Sequence, residues 1–353
     1  MASCETVTPT LSVIVPNYNH GRLLLRAVNA LLAQERAADE IIIVDDGSTE
    51  PDSEEVLEEI SAKAPSVRVL RNATNQGVIH ALNRGIEASS GRYLLLGAAD
   101  DWVLPGFFDA AMRMLERYPE AGLACGEVNL ISEIGGEDLG VRPSVRPARR
   151  PTYFPPAAVA KLLQQSDYWI LTGAAILSRA SVRAAGALAP ELGSFADGFL
   201  VRKIAVTHGF CYLPQRVATW RVSDASVSRR TAFDPAEARR ILLTAVAHID
   251  ADPCFPPGYS KLFDRRYRFA VCRLAVNAKP MNEVVLGQMG ARSRIDRFVV
   301  STLCGLKLFH ATRWLLLGWL WLRLRPFKLR SVFWSLASKS VSHRQRAPHS
   351  CDR

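Results

Sequence analysis

The chain has 353 residues, 48% hydrophobic and 22% charged. That is enough for one large domain with an appendage or two ordinary domains, with room for a sizeable core. The seven cysteines (Cys4, Cys125, Cys211, Cys254, Cys272, Cys304 and Cys351) are scattered, odd in number and free of any C-x-x-C pair. They argue against a disulfide scaffold or a zinc site and suit a reducing cytosol. The formal charge of +10 is uneven, since residues 323–353 hold eight Lys/Arg against the single acid Asp352; charge of this kind suits a polyanion or an anionic membrane surface.

The first residues have no basic n-region, and the apolar run Leu11–Val15 is too short for an h-region, so the run reads as a strand. Further strands are expected at Glu40–Val44, Val67–Arg71, Tyr93–Gly97 and Gly122–Val128. Helices are expected at Leu23–Gln34, Ser53–Lys63, Val78–Ala88 and Pro105–Tyr118. Their apolar residues recur every three or four positions, as in Leu24, Val28, Leu31 and Leu32. Strand and helix alternate, which predicts βαβ crossovers and a mostly parallel sheet flanked by helices. In such α/β sheets ligands bind beyond the carboxyl ends of the strands. Residues 138–156 interleave five prolines with four arginines and read as an extended basic connection. Regular patterning returns from Ala157 to about Ser228, and residues 229–297 read as a helical extension, clearest at Ala236–Ala247.

Three strand ends carry the chemistry. Pro16 ends the first strand, and Asn17, Tyr18 and Asn19 then offer hydrogen bonds and a stacking ring; alone, they read equally as a polar loop. Val44-Asp45-Asp46-Gly47-Ser48 follows the second strand. A carboxylate there can accept a hydrogen bond from a base imide or a ribose hydroxyl, and a plain turn with a helix cap is the alternative. Ala99-Asp100-Asp101-Trp102 follows the buried run Leu94, Leu95 and Leu96. Oxygen ligands of this kind hold Mg²⁺ or Mn²⁺ on phosphate oxygens, with helix capping as the alternative. The convergence of all three on one sheet edge favours a ligand site.

The segments Ser12-Val13-Ile14-Val15-Pro16-Asn17-Tyr18-Asn19, Ile42-Ile43-Val44-Asp45-Asp46-Gly47-Ser48-Thr49, Asn75-Gln76-Gly77, Asn83-Arg84-Gly85 and Gly91 to Trp102 resemble family 2 glycosyltransferases of the Rossmann-like GT-A fold, in order as well as in wording. The match is specific over about residues 10–130 and looser to about residue 228. The resemblance implies that Pro16, Tyr18, Asp45 and Asp46 hold uracil or another base, with Asn17 beside them, and that Asn75 and Gly77 line the nucleotide pocket. It makes Asp100 the last acid of a D-x-D metal motif, with Asp101 beside it. The first acid of that motif falls at Ala98, which implies weaker metal affinity.

Phe195-Ala196-Asp197-Gly198 to Arg202 resembles the family's acid-bearing helix start, and Gly209–Pro214, Trp220-Arg221, Ser226 and Ser228 resemble the family's next segments. Asp197 is then the expected general base, taking a proton from an acceptor hydroxyl. A helix N-terminal acid favoured by the dipole is the alternative, and Glu191 is a weaker candidate. Thr172 and Gly173 are expected to wall the acceptor pocket, and Arg202 or Arg221 to add charge near the diphosphate. The implied reaction is a single in-line displacement that inverts the sugar, from a UDP-linked or similar donor to a glycan or lipid-linked acceptor. A catalytically impaired nucleotide-sugar- or glycan-binding relative is the rival reading, with Ala98 as its support. A sugar nucleotidyltransferase needs a Gly-rich basic loop after the first strand, and Pro16-Asn17-Tyr18-Asn19 offers none.

The expected division is a glycosyltransferase domain over 1–230, with a nucleotide-sugar half over 1–130 and an acceptor half over 150–230. A helical extension comes next over 231–297, then a Trp-rich apolar segment with a basic tail over 298–353. Phe298–Leu322 is long enough to span a bilayer, but Lys307, His310 and Arg313 interrupt it on one helical face. Trp314, Trp319 and Trp321 suit a membrane interface, and Arg323, Arg325, Lys328 and Arg330 suit anionic headgroups. The expectation is an in-plane helix at the cytoplasmic face of the membrane, with a helix packed on the folded domain as the alternative. The chain from Lys339 onward reads as disordered. The tail has few aromatics, and no specific nucleic-acid partner is expected.

Overall fold

The computed structural model describes residues 10–143, 146–167, 169–223, 226–275, 285, 294–305 and 309–327. They divide into two compact units, residues 1–160 with 167–223, and residues 161–166 with 224–353.

The first unit is built on a mixed sheet. Its parallel half comprises β1 (Leu11–Asn17), β2 (Glu40–Asp45), β3 (Val67–Arg71) and β4 (Tyr93–Leu96), in the order β3-β2-β1-β4. The crossovers are α1 (Arg22–Leu32), α2 (Ser53–Lys63) and α3 (Val78–Ala88). Ile41, Ile42, Ile43 and Val44 are all buried, as are Val13, Ile14 and Val15. A strand covered by helices on both faces needs such an unbroken apolar run. Helix α3 lies close on this sheet because position 85 has no side chain. A Cβ on Gly85 would overlap Ile14 Cγ2 and approach Val44 Cγ2 to 3.2 Å.

Beyond β4 the sheet reverses. After β5 (Trp102–Val103) and α4 (Phe107–Arg117), β6 (Leu123–Ser132) leads to β7 (Asp138–Arg142), β8 (Thr152–Phe154) and α5 (Pro156–Gln165). A 3-10 turn, Thr172–Ala174, precedes β9 (Ala175–Ser178) and α6 (Arg179–Ala185). A second, Pro190–Phe195, leads into α7 (Ala196–His208) and β10 (Phe210–Val222). The order continues β4-β9-β6-β10-β5. Strand β9 is antiparallel to β4 and β6, and β10 is parallel to β6. The segment expected as an extended basic connection is partly paired: β7 is antiparallel to β6 and β8 to β10. Its prolines break the period in sequence, while edge pairing needs only a few residues.

The second unit is helical, with α8 (Val227–Phe233), α9 (Pro235–Ala251), α10 (Tyr259–Ala275), α11 (Arg294–Gly305) and α12 (Phe309–Leu324). Helix α9 starts on Asp234, whose carboxylate accepts from Ala236 N at 3.0 Å and Glu237 N at 3.1 Å, with Pro235 in the first turn. Ala238, Val271, Cys272, Val300, Leu316 and Leu320 share one core. One face of α12 is therefore buried inside its own unit. Buried Asp296 of α11 accepts from Trp319 Nε1 at 3.1 Å and from Arg323 Nε and Nη2 at 2.8 Å each. Trp319 and Arg323, expected at a lipid interface, thus serve as a clasp between two helices. Trp314 is 71% exposed. No helix among the described residues is long and apolar enough to cross a membrane. The expectations for Lys307, Lys328, Arg330 and the chain from Lys339 onward, and for the side chains of Ser228, His310 and Arg313, lie outside the described residues.

Candidate functional site

The parallel register brings the carboxyl ends of β1, β2 and β4 to one edge, with Asn17 opposite Asp45 and Ile14 opposite Leu96. Because β9 runs against β4, the turn Thr172–Ala174 opens onto the same edge. The expected site residues are thereby collected along it.

On the β1–β2 side, two buried carboxylates tie three loops together. Asp45 Oδ1 accepts from Asn17 Nδ2 at 2.7 Å and Ser48 Oγ at 2.6 Å, and Oδ2 from Ser48 N at 3.2 Å. Asp46 accepts from Asn72 Nδ2 at 2.6 Å, Gln76 N at 3.0 Å and Gly77 N at 2.7 Å. Backbone donors to a carboxylate are strong, charge-assisted bonds, so Asp46 sets the path of the 72–77 loop that leads into α3. Asn75 Oδ1 closes that loop by accepting from Gly77 N at 3.0 Å. Gly47 is needed where the loops meet: its φ is +72°, and a Cβ would stand 2.8 Å from the Thr74 carbonyl carbon. Pro16 is half-buried and Tyr18 is 40% exposed at the rim. Asn17 Oδ1 is buried with no hydrogen-bond partner among the described residues.

On the β4 side, Asp100 and Asp101 are half-buried. Asp101 Oδ1 accepts from Arg221 N of β10 at 2.9 Å. Burial, and then the neighbouring Asp100 charge, push the Asp101 carboxyl up to about 8, against the pull of that N–H. Among the described residues, no group of three or more His, Cys, Asp and Glu stands together to hold a metal. The pair nevertheless fits a hard divalent cation that takes its other ligands from phosphate oxygens and water. Two adjacent acids that resist ionising together, with one backbone donor to the pair among the described residues, are an environment such an ion relieves. The Arg221 guanidinium, expected near the diphosphate, pairs with Glu133 at 3.0 Å. Trp102 pairs with Thr219 of β10, and the Arg26 guanidinium lies 3.4 Å from its ring centroid.

Asp197 stands in the first turn of α7 and is half-buried. Burial raises its carboxyl above the ordinary aspartate value; the Thr172 hydroxyl, the Gly198 N–H at 2.6 Å and the Arg202 charge oppose the rise. Buried Thr172 thus faces Asp197 as its hydrogen-bond partner. A Cβ on Gly173 would lie 3.2 Å from Trp220 Nε1, so the glycine lets the indole pack against this turn. Trp220 Nε1 is itself buried without a partner among the described residues. Arg202 braces α7, donating to Gly198 O at 2.7 Å and Asp167 O at 2.9 Å.

Several members of this edge escaped sequence reasoning. Ser48 and Asn72 hold the acids, and only their closeness to Asp45-Asp46 and Asn75 hinted at it. Glu127 of β6 is fully buried, accepting from Tyr212 OH at 2.9 Å and pairing with Arg146 at 2.6 Å. A lone acid inside an apolar strand was its visible signal.

Residues 12–158 match the family model described as Glycosyl transferase family 2. Over 107 residues the chain is 41% identical to the Uncharacterized glycosyltransferase YibD of Escherichia coli (strain K12), covering 30% of each chain. It is 32% identical over 162 residues to the Succinoglycan biosynthesis protein ExoO of Rhizobium meliloti (strain 1021), covering 45% of each. The matches thus span less than half the length of these curated relatives. The fold is similar to that of the crystal structure of S. aureus TarS 1-349 in complex with UDP-GlcNAc. The TM-score is 0.58 at 15% identity, over 97% of this chain and 94% of that one. The match begins in β1, ends in α5 and takes in both acid pairs, so residues 12–158 are similar to the family 2 glycosyltransferases, and the fold is similar to that of TarS.

Proposed function

We propose that the chain is an inverting glycosyltransferase, moving a sugar from a UDP-linked donor to a hydroxyl of a glycan or lipid-linked acceptor in cell-surface polysaccharide or glycoconjugate synthesis. The observation that carries this reading is the alignment, along one sheet edge, of the Asp45/Asp46 rim, the Asp100/Asp101 pair and Asp197. The succinoglycan relative and the UDP-GlcNAc complex of the structural neighbour support the pathway class and the donor class.

In this reading the Pro16–Asn19 and Asn72–Gly77 loops, locked by Asp45 and Asp46, receive the base, with the Tyr18 ring free to stack. Asp100, with Asp101 beside it, would hold Mg²⁺ or Mn²⁺. Such an ion, when bound, supplies positive charge to the leaving diphosphate. Asp197 accepts the proton of the acceptor hydroxyl as that oxygen attacks the anomeric carbon from the face opposite the diphosphate. Thr172 and the Gly198 N–H aim its carboxylate, and burial makes it more basic than a solvated aspartate.

Ala98 favours a second reading, a relative that binds nucleotide sugars without transferring them. Calorimetry with UDP, GDP and their sugars, with Mn²⁺ and with chelator, tests the donor site. Binding of one UDP-class ligand, strengthened by the ion, is expected; indifference to the ion moves the balance to the binding protein.

The same reading includes contact with an anionic membrane. Charge is segregated: the first unit holds 20 Lys/Arg against 25 Asp/Glu, the helical unit 24 against 9. Ile295 and Phe298 on α11, and Trp314, Leu315 and Leu322 on α12, are exposed large apolar residues. Basic charge beside exposed aromatic and aliphatic side chains suits acidic lipid. The protein is expected to sediment with vesicles containing phosphatidylglycerol and to stay behind with pure phosphatidylcholine. Equal behaviour with both would remove the electrostatic part of the proposal.

A further inference from the structure

Helix α3 carries two consecutive polar residues that reach in different directions. The Asn83 amide clamps the main chain of Leu188 on both sides: Nδ2 donates to Leu188 O at 2.8 Å, and Oδ1 accepts from Leu188 N at 3.2 Å. Arg84 donates through Nη1 to Arg71 O at 2.7 Å and to Asn72 Oδ1. Asn72 in turn holds Asp46. The same helix begins at Gly77, whose N–H also holds Asp46.

Leu188 lies on the segment that joins α6 to α7 and so delivers Asp197. The segment needs an external anchor. It opens with Gly186 at φ +90° and Ala187 at φ +57°, a left-handed conformation that a Cβ-bearing residue disfavours. Ala187 N is fixed to Val182 O at 3.0 Å, and the next residue is the one Asn83 grips. From there the 3-10 turn Pro190–Phe195 runs directly into the first turn of α7. A side-chain amide bonded to both polar groups of one residue acts like a neighbouring strand: it fixes position and direction together.

We propose that Asn83 is a positioning residue: by clamping Leu188 it fixes where Asp197 stands, and α3 thereby sets the base-bearing segment and the nucleotide rim as one rigid piece. The inference rests on the reading of Asp197 as the proton acceptor. A base displaced by about 1 Å can lose about 10²-fold in rate with binding intact.

The test compares Asn83→Ala, the isosteric Asn83→Asp (which keeps an acceptor for Leu188 N and lacks the donor), Arg84→Ala and Asp197→Asn. UDP affinity by calorimetry, UDP release from UDP-GlcNAc, UDP-glucose and UDP-galactose, and hydrogen exchange are read for each. Asn83→Ala is expected to keep UDP affinity within about twofold while kcat falls roughly 10- to 100-fold. It should shift the acid limb of the kcat profile and lose amide protection over residues 186–197 with Gly77 still protected. Asn83→Asp should lie between it and the wild type, and still serves if the alanine variant does not fold. Arg84→Ala should instead weaken UDP and leave the acid limb in place. Unchanged kcat, acid limb and protection in both Asn83 variants, beside an inactive Asp197→Asn, would overturn the clamp alone. An Asp197→Asn enzyme with full kcat would overturn the base assignment and the catalytic role of the clamp with it. If the wild type releases UDP from none of the three donors, the parent reading is in question, and the exchange pattern alone decides whether the clamp exists.

Discussion

Asp100→Ala is expected to lower turnover of the nucleotide sugar by about 10³-fold, the scale on which electrostatic stabilisation of a leaving group acts. The loss should be confined to the ion-dependent part. UDP affinity in Mn²⁺ should fall to the value that the wild type shows in chelator, and chelator should then change nothing further. The reason lies in the short supply of ligands at this edge. Asp101 Oδ1 is engaged with Arg221 N, Ala98 offers no side-chain oxygen, and no third acid joins the pair among the described residues. With one freely disposed carboxylate, there is no neighbour to take over. Asp101→Asn should be milder in metal dependence, because its carboxyl is already held near neutrality by burial and by Asp100. Titration of Mn²⁺ against initial rate for the three proteins checks both statements.

Asp197→Asn is expected to lower kcat by about 10²- to 10⁴-fold with little change in donor KM, the range typical for loss of a general base. In the wild type the acid limb of kcat should lie above the ordinary aspartate value, because burial disfavours the charged form. The same shift has a consequence for stability, with a definite sign. The folded carboxyl is harder to ionise than the unfolded one at 3.8. Its contribution therefore turns against folding as pH rises through the unfolded and then the folded pKa. Asparagine lacks that contribution. The variant should thus be more stable than the wild type at neutral pH, and the difference should vanish below about pH 3.8. A variant both inactive and more stable is the signature of a residue kept for chemistry. Urea melts at the two pH values, beside the rate measurement, separate this from a purely structural acid.

The parallel half of the fold was legible because its strands are buried on both faces. Ile41 to Val44 leaves no polar position for another structure to use, and α2 and α3 run over the residues their apolar spacing indicates. Strands β7 and β8 were hidden, because prolines and arginines erase the two-residue period and their pairing depends on partners elsewhere in the chain. The acids of the site could be read as residues that follow apolar runs. Their partners could not. Asp101 meets Arg221 across 120 positions, and Asn83 meets Leu188 across 105. Such meetings arise from the reversal of the sheet at β9, which no local pattern announces. Thr172, expected as a wall, turns to Asp197, and the Arg221 side chain, expected near a diphosphate, turns to Glu133. In both cases the residue type was compatible with either task, and only position decides.

If this sheet edge accepts a nucleotide sugar and activates it, the full chain in Mn²⁺ should release UDP from a UDP-sugar without added acceptor, because water then takes the acceptor's place. A panel of UDP-sugars is the sharpest probe of that activity. Slow release from one UDP-sugar, abolished in Asp100→Ala and in chelator, is the predicted result. Release from none, with calorimetric binding equally absent in Mn²⁺, would contradict it.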